Sequence, residues 1–180
     1  MIGVLALQGG FATHAEILRE LGAEVREVRV PADLDGLGGL VMPGGESTTM
    51  TLGVEREGLG DPLRAFAASG RPVLGTCAGM IMLDRDHLGV LDVRCERNAF
   101  GRQTHSFETD LDLDGETVRA VFIRAPWVTD IGPEVDTLAA VDGHVVAVRQ
   151  GSVVAVSFHP ELAGETRLHE RLLDAVRARA

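Results

Sequence analysis

The stretch that most constrains the fold is Pro72-Val73-Leu74-Gly75-Thr76-Cys77-Ala78-Gly79-Met80-Ile81-Met82-Leu83. A proline followed by a short apolar run reads as a buried strand, and Met80 to Leu83 reads as the helix that leaves it. Between them lies Gly-x-Cys-x-Gly, the thiol form of the nucleophile elbow. A sharp strand-to-helix turn strains the backbone of the residue at its apex. The positions two before and two after must then be small for strand and helix to pack. Cys77 would stand at a helix N-terminus, where the dipole and unpaired N–H groups favour thiolate over thiol. A lone cysteine after a strand is more often a buried structural residue; glycines on both sides at this spacing reverse that balance.

The elements around this stretch alternate. Ile2 to Leu7 reads as a first strand ending at Gln8-Gly9-Gly10. A helix follows from Phe11 to Leu21, with Ala15, Leu18 and Leu21 on one face and Gly22 as its stop. Glu24 to Val30 reads as an edge or second strand, and Gly39 to Met42 as a third, closed by Pro43-Gly44-Gly45-Glu46-Ser47. Helices are expected near Ser47-Thr48-Thr49 and over Asp61 to Ala68. This β-α-β-α order predicts a parallel sheet with helices on both faces. Val90 to Val148 differs, with short strands and Asp-Gly turns at 114–115 and 142–143. Ser152 to Phe158 reads as the last strand, and Leu168, Leu172 and Val176 mark a closing helix. At 180 residues, the expectation is one α/β domain spanning 1–180.

Composition removes several function classes. The formal charge is −10 with no basic run, so nucleic acid and anionic membrane are poor partners. All 17 basic residues are arginine, which excludes a Walker lysine and a pyridoxal-phosphate Schiff base. There is no Cys-x-x-Cys and no His-Glu-x-x-His, so neither a metal nor a cofactor is expected. Cys77 and Cys95 do not make a disulfide framework, and Cys95 reads as structural. The N-terminus lacks a basic segment and reads as a strand, not a signal peptide. No apolar stretch approaches the roughly 20 residues that span a bilayer, and the expected location is cytoplasmic.

A catalytic thiol needs a base, and the base needs an orienting partner. Of the six histidines, His14, His87, His105, His144 and His169 sit in helices, turns or polar loops and read as solvated surface residues. His159 ends the last apolar strand in Ser157-Phe158-His159-Pro160-Glu161. Pro160 biases it toward extended backbone, which turns Glu161 to the same side as the imidazole. Sites on parallel sheets gather at strand C-terminal ends. Cys77, His159 and Glu161 are therefore the candidate triad, with the acid two residues after the base.

Gly-x-Cys-x-Gly with a late His-Pro-Glu resembles the class I, triad-type glutamine amidotransferases. More narrowly, Leu7-Gln8-Gly9, Pro43 to Thr49, Gly75 to Gly79, Glu96 to Gln103 and Phe122 to Pro126 resemble the glutaminase subunits of pyridoxal 5′-phosphate synthases. The resemblance runs from the first strand to the last helix. It implies a flavodoxin-like three-layer α/β/α sandwich with a largely parallel sheet and an added antiparallel portion. It implies hydrolysis of L-glutamine to L-glutamate and ammonia through a γ-glutamyl thioester on Cys77. Glutamine contacts are implied at Gly45, Glu46, Ser47, Arg97, Ile123 and Arg124. The oxyanion donors expected are the N–H of Ala78 and one from the Gly44-Gly45 turn, assigned to Gly45. Glu46 and Ser47 also fit helix capping. The implied partner is a (β/α)8-barrel synthase subunit in a large multi-subunit assembly. It uses the ammonia with ribose 5-phosphate and glyceraldehyde 3-phosphate. Docking is expected on the face bearing Gln8-Gly9-Gly10 and the Gly44-Gly45 turn. The segment between Leu83 and Gly89 is shorter than is usual in that family.

Two other classes share part of this pattern. One is a different cysteine hydrolase or DJ-1-like thiol protein, which the Glu161 beside His159 and the arginines argue against. The other is a decayed, purely regulatory amidotransferase, which the intact Cys77, His159 and Glu161 argue against.

Overall fold

A computed structural model of the chain describes residues 1–100 and 106–179. Gly101, Arg102, Gln103 and His105, named in the sequence reading, lie outside the described residues. Four apolar runs form the parallel centre: β1 (Ile2–Leu5), β3 (Gly39–Met42), β4 (Val73–Thr76) and β11 (Val153–Val156). With β2 (Val25–Val28) at the edge, they lie in the order β2-β1-β3-β4-β11, each pair parallel. The sheet continues antiparallel through β10 (His144–Gln150), β8 (Trp127–Ile131) and β5 (Val93–Glu96), with β9 (Asp136–Val141) also paired to β10. A separate hairpin, β6 (Phe107–Leu113) and β7 (Glu116–Phe122), turns at Asp114-Gly115. Both expected Asp-Gly turns have positive φ at both residues, 58° and 86° at 114–115 and 51° and 81° at 142–143. That is the demand of a type I′ hairpin turn.

Strand period two sorts the core into two layers. Leu40, Met42, Val73 and Ala155 face one side with α2 (Ser47–Arg56), α3 (Gly60–Ala68) and α4 (Ala78–Leu83), which contribute Met50, Val54, Leu63, Phe66 and Met80. Val4, Val41, Leu74 and Val156 face the other with α1 (Phe11–Glu20) and α5 (Arg167–Arg177), which contribute Ala15, Leu18, Leu168 and Leu172. The β6–β7 hairpin closes this second layer with Leu111, Val118 and Phe122. The result is the three-layer α/β/α sandwich expected, with its antiparallel addition. Among the described residues no helix is long and apolar enough to cross a membrane.

The short segment after α4 is organised by one buried carboxylate. Asp84 accepts from the Asp86 N–H at 3.0 Å, from Cys95 N–H at 3.2 Å and binds His87 Nδ1 at 2.7 Å. The expectation that the remaining histidines lie on the surface is corrected. His14 and His169 are fully buried, because each falls on the inward stripe of its helix beside Ala15 and Leu18 or Leu168 and Leu172. His144 is half-buried and stacks on Trp127 at 3.6 Å between ring centroids, and His87 is held by Asp84.

The elbow glycines are close-packing positions. A Cβ on Gly79 would collide with the Met42 carbonyl, and one on Gly75 would lie 2.7 Å from Leu83 Cδ1 and 3.0 Å from the Gly79 carbonyl carbon. Gly79→Ala is expected to cost about 1–3 kcal/mol as overpacking. The check is a urea unfolding curve, which should show a lower midpoint at unchanged slope.

Candidate active site

Four parallel strands end on the same edge of the sheet, and each delivers one piece of the site. β4 delivers Cys77, whose N–H still donates to Val156 O at 2.8 Å, so the β4–β11 ladder runs up to the sulfur-bearing residue. There the backbone turns to φ 49°, ψ −106°, a strained conformation for a non-glycine residue. β11 delivers His159, and the 3-10 turn Pro160–Ala163 delivers Glu161. β1 delivers Gln8, and β3 delivers Gly44 and Gly45. The Gly44 backbone lies against the other two: a Cβ there would be 2.5 Å from His159 Cε1 and 3.3 Å from Cys77 Cβ.

The structure brings Cys77, His159 and Glu161 together. His159 Nδ1 is 2.7 Å from Glu161 Oε1, and Cys77 is close enough to act on the charge of the same ring. Burial works against a charged His159. The interaction with Cys77, the hydrogen bond with Glu161 and the negative charge of both together outweigh it and push the imidazole up to about 10. Glu161 is 7% exposed. Burial works against its anion as well, but the hydrogen bond from His159 and the neighbouring imidazoles bring the net direction below the ordinary carboxyl value. The pair is thus a desolvated imidazolium–carboxylate beside a sulfur.

A cavity of about 310 Å³ opens over the sulfur, at the small end of the roughly 300–1,000 Å³ typical of ligand sites. Gly45, Glu46, Ser47, Ala78, Arg97, Ile123 and Arg124 all line it with Cys77 and His159. Glu46 is the N-cap of α2 and accepts from Thr48 and Thr49 N–H at 3.3 and 2.8 Å. The Thr49 N–H above all, then the Thr49 hydroxyl, Thr48 N–H and Arg97, pull its carboxyl down to about 2. Arg97 donates to Glu46 Oε1 at 2.8 Å and to Thr48 Oγ1 at 3.0 Å, so capping and guanidinium alignment share one carboxylate. Ser47 is buried in the first turn of α2. Ala78 opens α4, where a first-turn N–H has no intrahelical acceptor. The Gly44 carbonyl accepts from Gly10 N–H at 3.0 Å, which by peptide planarity turns the Gly45 N–H to the opposite side.

The antiparallel addition carries the outer wall. His159 N–H donates to Val121 O at 2.8 Å, fixing β7 to the end of β11, and Ala99 N–H donates to Ala125 O at 3.0 Å. Those two bonds set residues 97–98 beside 123–124. Phe100 anchors the first loop, with ring centroids 5.3 Å from Phe122 and 5.1 Å from Trp127. Asn98 and Arg124 have φ of 50° and 45°, so strain gathers at this wall as at Cys77.

Sequence reasoning left Gln8, Asn98 and Leu162 out of the site, yet they line the cavity. Gln8 Oε1 accepts the Glu46 N–H at 2.7 Å, and its place just after β1 was the available signal. Cys95 is a poor candidate nucleophile: burial, then Asp84 and Asp86, push its thiol up to about 12. Among the described residues no group of three or more His, Cys, Asp or Glu could hold a metal ion.

Comparison with known proteins finds the following. A family model described as "SNO glutamine amidotransferase family" matches residues 4–178. The chain is 48% identical over 188 residues to "Pyridoxal 5'-phosphate synthase subunit PdxT" of Shouchella clausii (strain KSM-K16), covering 99% of this chain and 96% of that protein. It is 52% identical over 189 residues to the protein of the same name from Parafrankia sp. (strain EAN1pec), covering 98% and 93%. A solved structure described as a glutamine amidotransferase superimposes with a TM-score of 0.92 at 45% identity, covering 97% of this chain and 98% of that one.

The surroundings of His159 favour its charged form, and that preference can be read directly. An NMR titration of the His159 ring should show it losing its proton near pH 10, not near the ordinary 6.5. Glu161→Gln and Cys77→Ala each remove a group that favours the cation, so each should move the midpoint down. An ordinary midpoint in the unsubstituted chain would contradict the assignment.

Proposed function

The chain belongs to the SNO glutamine amidotransferase family, and from that premise we propose that it hydrolyses L-glutamine to L-glutamate and ammonia for a pyridoxal 5′-phosphate synthase. The observation that carries the reading is Cys77 at positive φ with His159 and Glu161 aligned behind it, under a cavity of amino-acid size.

In the proposed reaction, the Cys77 thiolate attacks the side-chain amide carbon of glutamine. The carbonyl π electrons move to oxygen, and the N–H groups of Ala78 and Gly45 stabilise the oxyanion. One such donor contributes about 3–4 kcal/mol to the transition state. As the tetrahedral adduct collapses, the C–N bond breaks and the leaving nitrogen takes the proton of His159, so ammonia departs from a γ-glutamyl thioester. The neutral His159 then accepts a proton from water as that water attacks the thioester. Glutamate leaves, and Cys77 returns as thiolate beside a re-protonated imidazole. Glu161 holds the ring orientation throughout.

Recognition of the amino-acid end follows from charge. A guanidinium pairs a carboxylate in a fork, which suits Arg97 and Arg124 to the glutamine carboxylate. Glu46 suits the ammonium, while Ser47 and the Ile123 backbone contribute neutral contacts. Ammonia released at this site needs a reaction that consumes it. Its proposed partner is the synthase subunit, a (β/α)8 barrel in a large cytoplasmic assembly that supplies ribose 5-phosphate and glyceraldehyde 3-phosphate as the other reactants. Docking is placed on Gln8-Gly9-Gly10. The Gly10–Gly44 hydrogen bond supports this, because a partner that moves Gly10 acts directly on the peptide carrying the Gly45 N–H.

The test is a glutaminase assay with and without the cognate synthase subunit. Cys77→Ala should abolish turnover, and Arg97→Ala should raise KM for glutamine roughly ten- to hundredfold. Full activity of the isolated chain would remove the docking element, and no activity with the partner present would remove the reading.

A further inference from the structure

Behind the candidate triad lies a buried polar chain that the mechanism above does not use. His14 on α1 and His169 on α5 are both 0% exposed. His14 Nδ1 is 2.8 Å from His169 Nε2, and His14 Nε2 is 3.1 Å from Thr76 Oγ1 and 3.4 Å from Glu161 Oε2. Thr76 immediately precedes Cys77, and Glu161 follows His159 by two. One imidazole therefore touches both the segment that carries the nucleophile and the acid that orients the base.

The proton inventory decides what this contact does. Burial, above all, lowers the pKa of His14, and burial followed by the neighbouring His14 takes His169 down to about 4. Both rings are neutral at pH 7, so each has one donor and one acceptor nitrogen. Glu161 Oε1 is occupied by His159, while Oε2 is buried with no hydrogen-bond partner and has His14 Nε2 at 3.4 Å. A carboxylate oxygen can only accept. With its proton on Nε2, His14 donates into the space between Thr76 Oγ1 and Glu161 Oε2, and its Nδ1 accepts from His169 Nε2–H. With the proton on Nδ1, a lone pair would face the carboxylate. The Glu165 carbonyl favours a proton on the far side of His169, but His169 Nδ1 has no hydrogen-bond partner. A buried charged acceptor left unpaired costs more than a neutral carbonyl, so the first arrangement stands.

We infer that His14 is a positioning residue of the glutaminase site: its Nε2–H holds the Glu161 oxygen that His159 leaves free, and His169 sets its tautomer. The inference rests on the glutaminase reading above. The chain of contacts runs His169, His14, Glu161, His159, Cys77, and it ties the triad to helices on the far layer of the sandwich. The charged or titratable groups facing His14 are His169 from α5 and His159 and Glu161 from the end of β11, with Thr76 the polar neighbour from β4.

The experiment compares His14→Leu, His14→Gln and the unsubstituted chain, each with the cognate synthase subunit. A glutamine side-chain amide can offer an N–H where Nε2–H stood; leucine cannot. With the donor removed, the Glu161 anion is disfavoured, so its protonation moves to higher pH. His14→Leu should lower kcat roughly tenfold with KM little changed, and should shift the acid limb of the kcat profile upward. His14→Gln should recover most of both. Carbon-13 NMR of the Glu161 carboxyl in the isolated chain reads the same shift without turnover. An unchanged carboxyl titration in folded His14→Leu overturns the inference. So does equal loss of kcat in both variants with no pH shift, which marks a packing role only. Absence of turnover in the unsubstituted complex would instead strike the glutaminase reading, while the carboxyl titration still decides the role of His14.

Discussion

The turn at Cys77 is the constraint on which the rest of the structure depends. A backbone at φ 49°, ψ −106° costs of order 1–3 kcal/mol in a non-glycine residue, and it persists only where the surroundings overdetermine it. The strand side is fixed by the hydrogen bond from Cys77 N–H to Val156 O, and the helix side by Met80 N–H to Cys77 O at 3.1 Å. All six residues of α4 are buried. Each fully buried Met, Ile or Leu contributes about 1.5–3 kcal/mol, so two of the four large ones offset the strain. Gly75 and Gly79 make the arrangement possible by letting strand, helix and the end of β3 approach within backbone contact.

From that turn the electrostatics follow. An imidazolium and a carboxylate taken out of water each carry a desolvation cost of several kcal/mol, recovered only when their geometry and remaining hydrogen bonds are good. His159 meets the condition with Glu161 hydrogen-bonded to Nδ1 and Cys77 favouring its charge. Glu161 meets it on one oxygen through His159, and the other oxygen has His14 Nε2 at 3.4 Å. The surface arginine–carboxylate pairs, such as Arg149 with Asp114 and Asp136, stand in a different regime, where an exposed pair contributes about 0–1 kcal/mol. Charge organises this protein where it is buried.

Most of the parallel half was legible in the sequence, because a strand covered on both faces must be an unbroken apolar run. Ile2–Leu5, Gly39–Met42 and Val153–Val156 are such runs, and Val73–Thr76 is one up to its last residue. The elbow glycines and the Asp-Gly turns were legible for the same kind of reason, since few residues meet their backbone demands. The antiparallel order was not. β5, with its burial alternating from Val93 to Glu96, is a short half-exposed strand, and nothing local says that it pairs β8 (Trp127–Ile131) at the far edge. The buried histidines were missed for another reason. Phe11, His14, Ala15 and Leu18 follow the i, i+3, i+4, i+7 spacing of one helical face, so the stripe itself pointed His14 inward. Reading histidine as polar first, and by position second, hid it.

The division between the two halves of the sheet has a physical logic. Cys77 and His159 follow β4 and β11, neighbours in the parallel centre, where register is fixed by ladders on both sides. Such positions hold atoms to a fraction of an ångström but tolerate little change. Arg97, Asn98, Ile123 and Arg124 instead sit in loops that leave β5 and β7, braced by Ala99 N–H to Ala125 O and by the rings around Phe100. These residues line the cavity from outside the ladders that fix the Cys77 turn. Among the described residues, the His159 N–H to Val121 O bond links His159 directly to that outer wall. A shift of the β6–β7 hairpin is therefore felt at the imidazole before it is felt at the sulfur.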